Sequence, residues 1–251
     1  MKVFATYNIK GGVGKTSTAV NLAYLCAREG RRTLLWDLDP QGAATYMFRV
    51  KPRVKGGGHG LVTRKRPIQT ALKATDFENL DLLPADFSYR NMDLDLDDTK
   101  KRTQRLGQLL DGVADDYDVV FLDCPPSISL VSENVMHAAD TLLVPMIPAT
   151  LSLRTFDQLI RFVADSKGSH PEVIAFFSMA DRRKRLHKDV IEHKDVFESI
   201  PRNRARVADT IIPALSIIEQ MAERRAPVPA FAPTSRAALC YEELWAEVRP
   251  K

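Results

Sequence analysis

Lys10-Gly11-Gly12-Val13-Gly14-Lys15-Thr16 lies between an apolar run, residues 3–9, and a stretch with helical spacing, residues 17–29. Strand, glycine-rich turn and helix, in that order, make a cradle for phosphate. Glycines let backbone N–H groups close on the anion, and the positive end of a helix dipole lies behind them. A lysine in such a turn reaches β- and γ-phosphates, and the hydroxyl after it can hold Mg²⁺. Lys15 and Thr16 take those expected roles, with Gly11, Gly12, Val13, Gly14 and Ser17 as the other nucleotide contacts. The general pattern GxxxxGK[ST] is met except at its first glycine, where Ile9 stands. The bland alternative is a glycine turn that holds no nucleotide.

Outward from this turn, short apolar runs alternate with amphipathic stretches. Strands are expected at 33–36, 80–83, 119–122, 141–147, 173–177 and 210–212. Helices are expected at 101–114, 152–165, 188–199, 217–224 and 235–248. The runs at 119–122 and 141–147 are continuously apolar, as a parallel sheet covered on both faces requires. The pattern predicts a doubly wound, mostly parallel α/β sheet flanked by helices, in one domain over residues 1–251. One insert breaks it. Residues 49–66 are polar, with Gly56-Gly57-Gly58 and Gly60 at their centre, and read as a mobile loop.

The chain of 251 residues is 45% hydrophobic and 27% charged, which excludes a disordered or fibrous protein. Cys26, Cys124 and Cys240 form no CxxC pair. That argues against a disulfide framework, structural zinc and a cysteine-ligated cluster within one chain, and suits a reducing cytoplasm. Neither a targeting segment nor an apolar run of membrane-spanning length is read. Charge is uneven. Residues 49–66 hold seven basic residues and no acid, and 182–206 hold nine basic residues and four acids, against +4 for the whole chain. Two basic segments therefore sit on an acidic body, which points to a polyanionic partner or to solvated loops.

The phosphate turn with Lys10 resembles the deviant Walker A motif of the ParA/MinD ATPases, a P-loop NTPase family, with Lys10 as its signature lysine. Asp37-Leu38-Asp39-Pro40-Gln41-Gly42 is similar to the family's A′ motif, and Val119–Asp123 with Cys124-Pro125-Pro126-Ser127 to its Walker B motif. Pro145-Met146-Ile147-Pro148 with Leu151-Ser152-Leu153, then Asp181-Arg182-Arg183, then Ile212-Pro213 follow in family order. Asp-Pro-Gln-Gly and Asp-Cys-Pro-Pro-Ser favour the ParA branch.

The resemblance implies an ATPase that uses ATP and Mg²⁺. It implies a face-to-face dimer in which Lys10 contacts the partner's ATP, with a plain surface lysine as the local alternative. It implies non-specific DNA binding in the ATP-bound dimer, and a ParB-like or cargo adaptor that stimulates hydrolysis. Asp39 is the candidate to position the attacking water. Asp123, with a share for Asp37, is the candidate for the Mg²⁺ shell. Asp37 or Asp39 could instead cap a loop, and Asp123 the turn before Pro125-Pro126. Met179, Asp181 and Pro213 match adenine-side positions loosely. Arg182, Arg183, Lys184, Arg185, Lys188, Arg202, Arg204 and Arg206 are the DNA candidates. Cys124 reads as a small buried residue rather than a nucleophile.

Only nine residues precede Lys10, so no helix-turn-helix is expected before it. The alternative function is a MinD-like membrane-associated positioning ATPase. Glu242, Glu243 and Glu247 in the C-terminal helix argue against it, because anionic lipid repels them. A cluster-bearing reductase relative lacks the cysteines, and a small-molecule ATP-dependent enzyme lacks a substrate motif.

Overall fold

Each expected apolar run becomes a strand of one sheet in the computed structural model, which describes residues 1–166, 171–192 and 205–250. The strands are β1 (Lys2–Thr6), β2 (Thr33–Asp37), β3 (Lys73–Ala74), β4 (Leu80–Leu83), β5 (Val119–Asp123), β6 (Thr141–Met146), β7 (Glu172–Ala180) and β8 (Ala205–Pro213). Their order is β3-β4-β2-β5-β1-β6-β7-β8, parallel throughout except for the β3–β4 edge.

Alternate residues of the strands enter two cores. Phe4, Leu35, Phe121 and Leu143 face α1 (Lys15–Arg28), α2 (Ala43–Met47), α9 (Ser216–Arg224), α10 (Val228–Phe231) and α11 (Arg236–Val248). Ala5, Trp36, Leu122 and Val144 face α3 (Gly57–Val62), α4 (Met92–Asp97), α5 (Arg105–Leu110), α6 (Leu130–Ala138) and α7 (Thr150–Asp165). On the first face Phe4 stacks on Phe121 at 5.3 Å between ring centres, with Trp245 at 5.9 and 5.8 Å from the two. Such aromatic pairs add about 0.5–1.5 kcal/mol beyond their burial. This two-faced burial is why the strands read as unbroken apolar runs.

The insert 49–66 departs from its expectation. It is folded, with α3 at its centre, and Val54, Leu61 and Val62 buried in the second core. Two backbone donors pin it: Val54 N–H to Asp86 Oδ2 (2.8 Å) and Gly58 N–H to Ser88 Oγ (2.8 Å). Its cations face water, and their density masked the apolar residues between them.

The helix expected over 188–199 begins earlier, as α8 (Arg185–Glu192), and its later residues lie outside the described ones. The helix expected over 101–114 is shorter, α5 followed by a 3₁₀ turn at Asp111–Val113. No helix among the described residues is long and apolar enough to cross a membrane.

Candidate nucleotide site

β1 is flanked by β5 on one side and β6 on the other, so its carboxyl end is where successive crossovers leave in opposite directions. Ligands of open α/β sheets bind beyond strand ends at such a point. A cleft of about 360 Å³ opens there. One wall is the phosphate turn, with Gly11, Gly12, Gly14, Lys15, Thr16 and Ser17 lining it. Gly14 takes φ +95°, and a Cβ there would meet Ser178 Oγ at 2.8 Å, so both conformation and space demand glycine. The first turn of α1 has no side-chain cap and no acid, which leaves its N–H groups for an anion.

Lys15 is buried against this turn, its Nζ donating to the Lys10 carbonyl at 3.1 Å. Burial pulls its pKa below the usual lysine range, while Asp123, Cys124 and Asp39 pull it back. Lys10 is exposed and does not line the cleft. Its N–H donates to Asn8 Oδ1 (2.9 Å), and Asn8 Nδ2 donates to Pro145 O (2.8 Å).

Parallel register places Asp37 beside Asp123 and Thr6 beside Asp123. Asp123 is fully buried and no hydrogen bond reaches its Oδ2. Burial, then the Asp37 charge, pushes its pKa well above the carboxylate range; the Thr16 hydroxyl and the Lys15 ammonium oppose this. A buried oxygen without a partner, next to a hydroxyl and a lysine, fits a site completed by a hard cation.

Asp37 is held by the segment that follows it. Its Oδ2 accepts from Thr45 N–H (2.8 Å) and Thr45 Oγ1 (2.7 Å), and its Oδ1 from Asp39 N–H (3.2 Å). Both oxygens thus accept from the loop and from α2, the arrangement of the loop-capping alternative. Burial raises its pKa to about 6. Asp39, by contrast, lines the cleft, its Oδ1 held by Gln41 N–H at 2.9 Å.

Met179 and Pro213 line the far wall with Ser178, Ile212, Ala214, Leu215, Ile218, Glu219 and Tyr241. Met179 sits in the left-handed region, φ +54°, where β7 bulges against β8. Strain of this kind concentrates at binding sites. The α9 residues were not anticipated; the exposed side of a 3.6-residue pattern right after Ile212-Pro213 was the available signal. Asp181 does not line the cleft, and its carboxylate grips Arg183 at 3.0 Å, which lowers its pKa to about 2. Cys124 is buried with its thiol pKa raised by burial, as an inert core residue.

The basic candidates divide. Arg182, Lys184, Arg185 and Lys188 are exposed around the start of α8. Arg183 is tied to Asp181. Arg206 pairs with Glu172 (3.3 Å) and Glu247 (3.5 Å), so neighbouring acids offset its charge on the sheet edge. Arg202 and Arg204 lie outside the described residues.

A family described as "AAA domain" matches residues 1–174. The sporulation initiation inhibitor protein Soj of Bacillus subtilis is 33% identical over 98% of both chains. The chromosome partitioning protein ParA of Myxococcus xanthus is 35% identical over 80% of this chain and 76% of its own. A cobyrinic acid a,c-diamide synthase of Mycobacterium smegmatis, solved with bound ADP and magnesium, superposes with a TM-score of 0.80. It is 28% identical over 98% of this chain and 93% of its own. The Cyanothece McdA–ATP complex gives 0.82 at 20% identity, covering 100% of this chain and 97% of its own, a likeness of fold. The glycine cradle with Lys15, the buried Asp123 and these relatives converge: the chain belongs to the ParA-type ATPases of the ParA/MinD family.

Proposed function

We propose that the protein binds and hydrolyses ATP with Mg²⁺ in this cleft, forms an ATP-dependent homodimer, binds DNA without sequence preference, and thereby partitions or positions a cargo. The observation that carries this reading is the Asp123 oxygen left unpartnered beside Thr16 and Lys15. Thr16 and Asp123 are the protein groups for Mg²⁺, which supplies charge neutralisation on the phosphates when bound. Among the described residues no cluster of three metal-ligating side chains exists, which suits a metal held largely by substrate oxygens and water. Lys15 and the α1 N–H groups bind and orient the phosphates. Asp39 accepts a hydrogen bond from the attacking water. Met179, Pro213, Leu215 and Ile218 offer an apolar slot for the base. Lys10, exposed and outside its own cleft, suits a contact with the partner's nucleotide across the dimer. A ParB-like or cargo adaptor accelerates hydrolysis, and the setting is the cytoplasm, on the nucleoid. Phosphate release from ATP that requires Mg²⁺ and stops with EDTA is the expected result; no release in either condition removes the reading.

Asp123 also makes a stability prediction. A carboxyl whose folded pKa is raised stabilises the fold below its unfolded pKa of about 4, and that contribution is lost as pH rises through the folded value. Asp123 lies well above the carboxylate range, so the loss sets in as pH rises past about 4. Without ligand, Asp123→Asn should therefore melt higher than the parent by a margin that grows as pH rises, by about 2 °C per kcal/mol recovered, and converge with it near pH 4. Mg²⁺-ATP should raise the parent's midpoint more than the variant's. Thermal melts across pH decide; a variant that melts lower at every pH contradicts the buried, unpaired carboxylate.

For DNA, Arg182→Glu with Lys184→Glu should weaken binding to any sequence and leave ATP affinity intact. The slope of log K against log salt should become shallower by about 0.9 for each phosphate that is no longer neutralised. Arg206→Glu should act instead on stability, because it leaves Glu172 and Glu247 facing a third acid. Anisotropy titrations at several salt concentrations separate the two; DNA loss in the Arg206 variant alone would move the interface to the sheet edge.

A further inference from the structure

The loop between Asp123 and α6 is held at its far end by a residue from β1's side of the cleft. Tyr7 follows β1 directly and is fully buried, its N–H donating to Leu143 O at 3.0 Å. Its hydroxyl donates to Ser127 O at 2.5 Å and lies 3.3 Å from Ser132 Oγ. Ser132 Oγ donates to the same Ser127 carbonyl at 2.6 Å and accepts from Ser129 N–H at 3.2 Å. One carbonyl therefore receives two hydroxyl donors. At the near end of the loop, Cys124 N–H donates to Thr6 O at 3.3 Å. Between these anchors stand Pro125 and Pro126, whose fixed φ transmits the position of either end. Pro126 lines the cleft, and a Cβ on Gly11 would lie 3.9 Å from its ring.

We propose that Tyr7 is a positioning residue for hydrolysis: with Ser132 it clamps the Ser127 carbonyl, so that Pro126 stays against Gly11 and the Asp123 loop keeps its register with the phosphate turn. The proposal rests on the ATPase reading. The phosphate contacts of the turn itself, from Gly12 to Thr16, owe nothing to the Tyr7 hydroxyl. Its removal should therefore act on turnover rather than on nucleotide affinity. Burial raises the Tyr7 pKa to about 12, so the hydroxyl stays a donor at every working pH. As a positioning donor it adds no titrating limb, so no pH-rate limb should change in its absence.

Three proteins test this: Tyr7→Phe, which removes only the oxygen, Ser132→Ala, and the double variant. Expected in Tyr7→Phe is an affinity for a fluorescent ATP analogue within about twofold of the parent, with kcat lower by about tenfold, the kinetic equivalent of one net hydrogen bond. Ser132→Ala should fall in the same direction. The double variant should lose less than the product of the two single losses, because both donors serve one carbonyl. If the parent releases no phosphate, the ATPase reading fails before Tyr7 is judged. If the parent turns over and Tyr7→Phe matches its kcat per folded molecule, whatever its melting temperature, the clamp has no positioning role. Equal losses in affinity and kcat, or single losses that multiply fully in the double variant, overturn it too.

Discussion

Lys15→Ala is expected to abolish nucleotide binding. Lys15 Nζ is the buried cation of the phosphate turn, and its partner in the structure is the Lys10 carbonyl, a bond readily exchanged for phosphate oxygens. Hydrogen bonds to a charged group contribute about 1.5–3 kcal/mol each, so removing two weakens ATP by about a hundredfold or more. The fold should survive. Burial holds the Lys15 pKa below the usual range, so its charge is a cost to the empty protein that alanine removes. Calorimetry of the variant against ATP, alongside a melt, checks both halves. Tight binding by a folded variant means the phosphate turn has been misassigned.

Asp39→Ala is expected to keep ATP and Mg²⁺ and to lose at least about a hundredfold in hydrolysis, the scale of a positioned general base. Asp39 lines the cleft and is fixed by Gln41 N–H, while the neighbouring Asp37 is spent on Thr45. The same substitution at Asp37 should instead lower stability, since α2 is left without its buried acceptor. Single-turnover phosphate release separates the two aspartates. An Asp39 variant that turns over at the parent rate would remove it from the chemistry.

What was legible in the chain follows from how local each signal is. The phosphate turn is continuous in sequence, and its glycines have one physical reason to stand together. Strands β1, β2, β5, β6 and β7 announced themselves because both faces are buried. The segment 49–66 did not, because three buried apolar residues, Val54, Leu61 and Val62, are outnumbered by exposed cations. The pairing of Arg206 was hidden for another reason: its acidic partners, Glu172 and Glu247, come from other parts of the chain, and no count along residues 182–206 includes them. Asp37 and Asp39 are two residues apart and look equivalent as letters. Thr45, eight residues beyond Asp37, is what separates them. Tyr7 reads as one more apolar strand residue, and only its hydroxyl on Ser127 sets it apart.

ATP held by one copy's phosphate turn and touched by the exposed Lys10 of another is, in this reading, what assembles the protein. Sedimentation velocity of Asp39→Ala protein probes that assembly without intervening steps, because slow hydrolysis preserves whatever ATP brings together. With Mg²⁺-ATP the expected species is a dimer of about twice the 28.2 kDa chain mass, with monomer in ADP and in the Lys10→Ala counterpart. A monomer in saturating Mg²⁺-ATP, or a dimer indifferent to nucleotide and to Lys10, would contradict it.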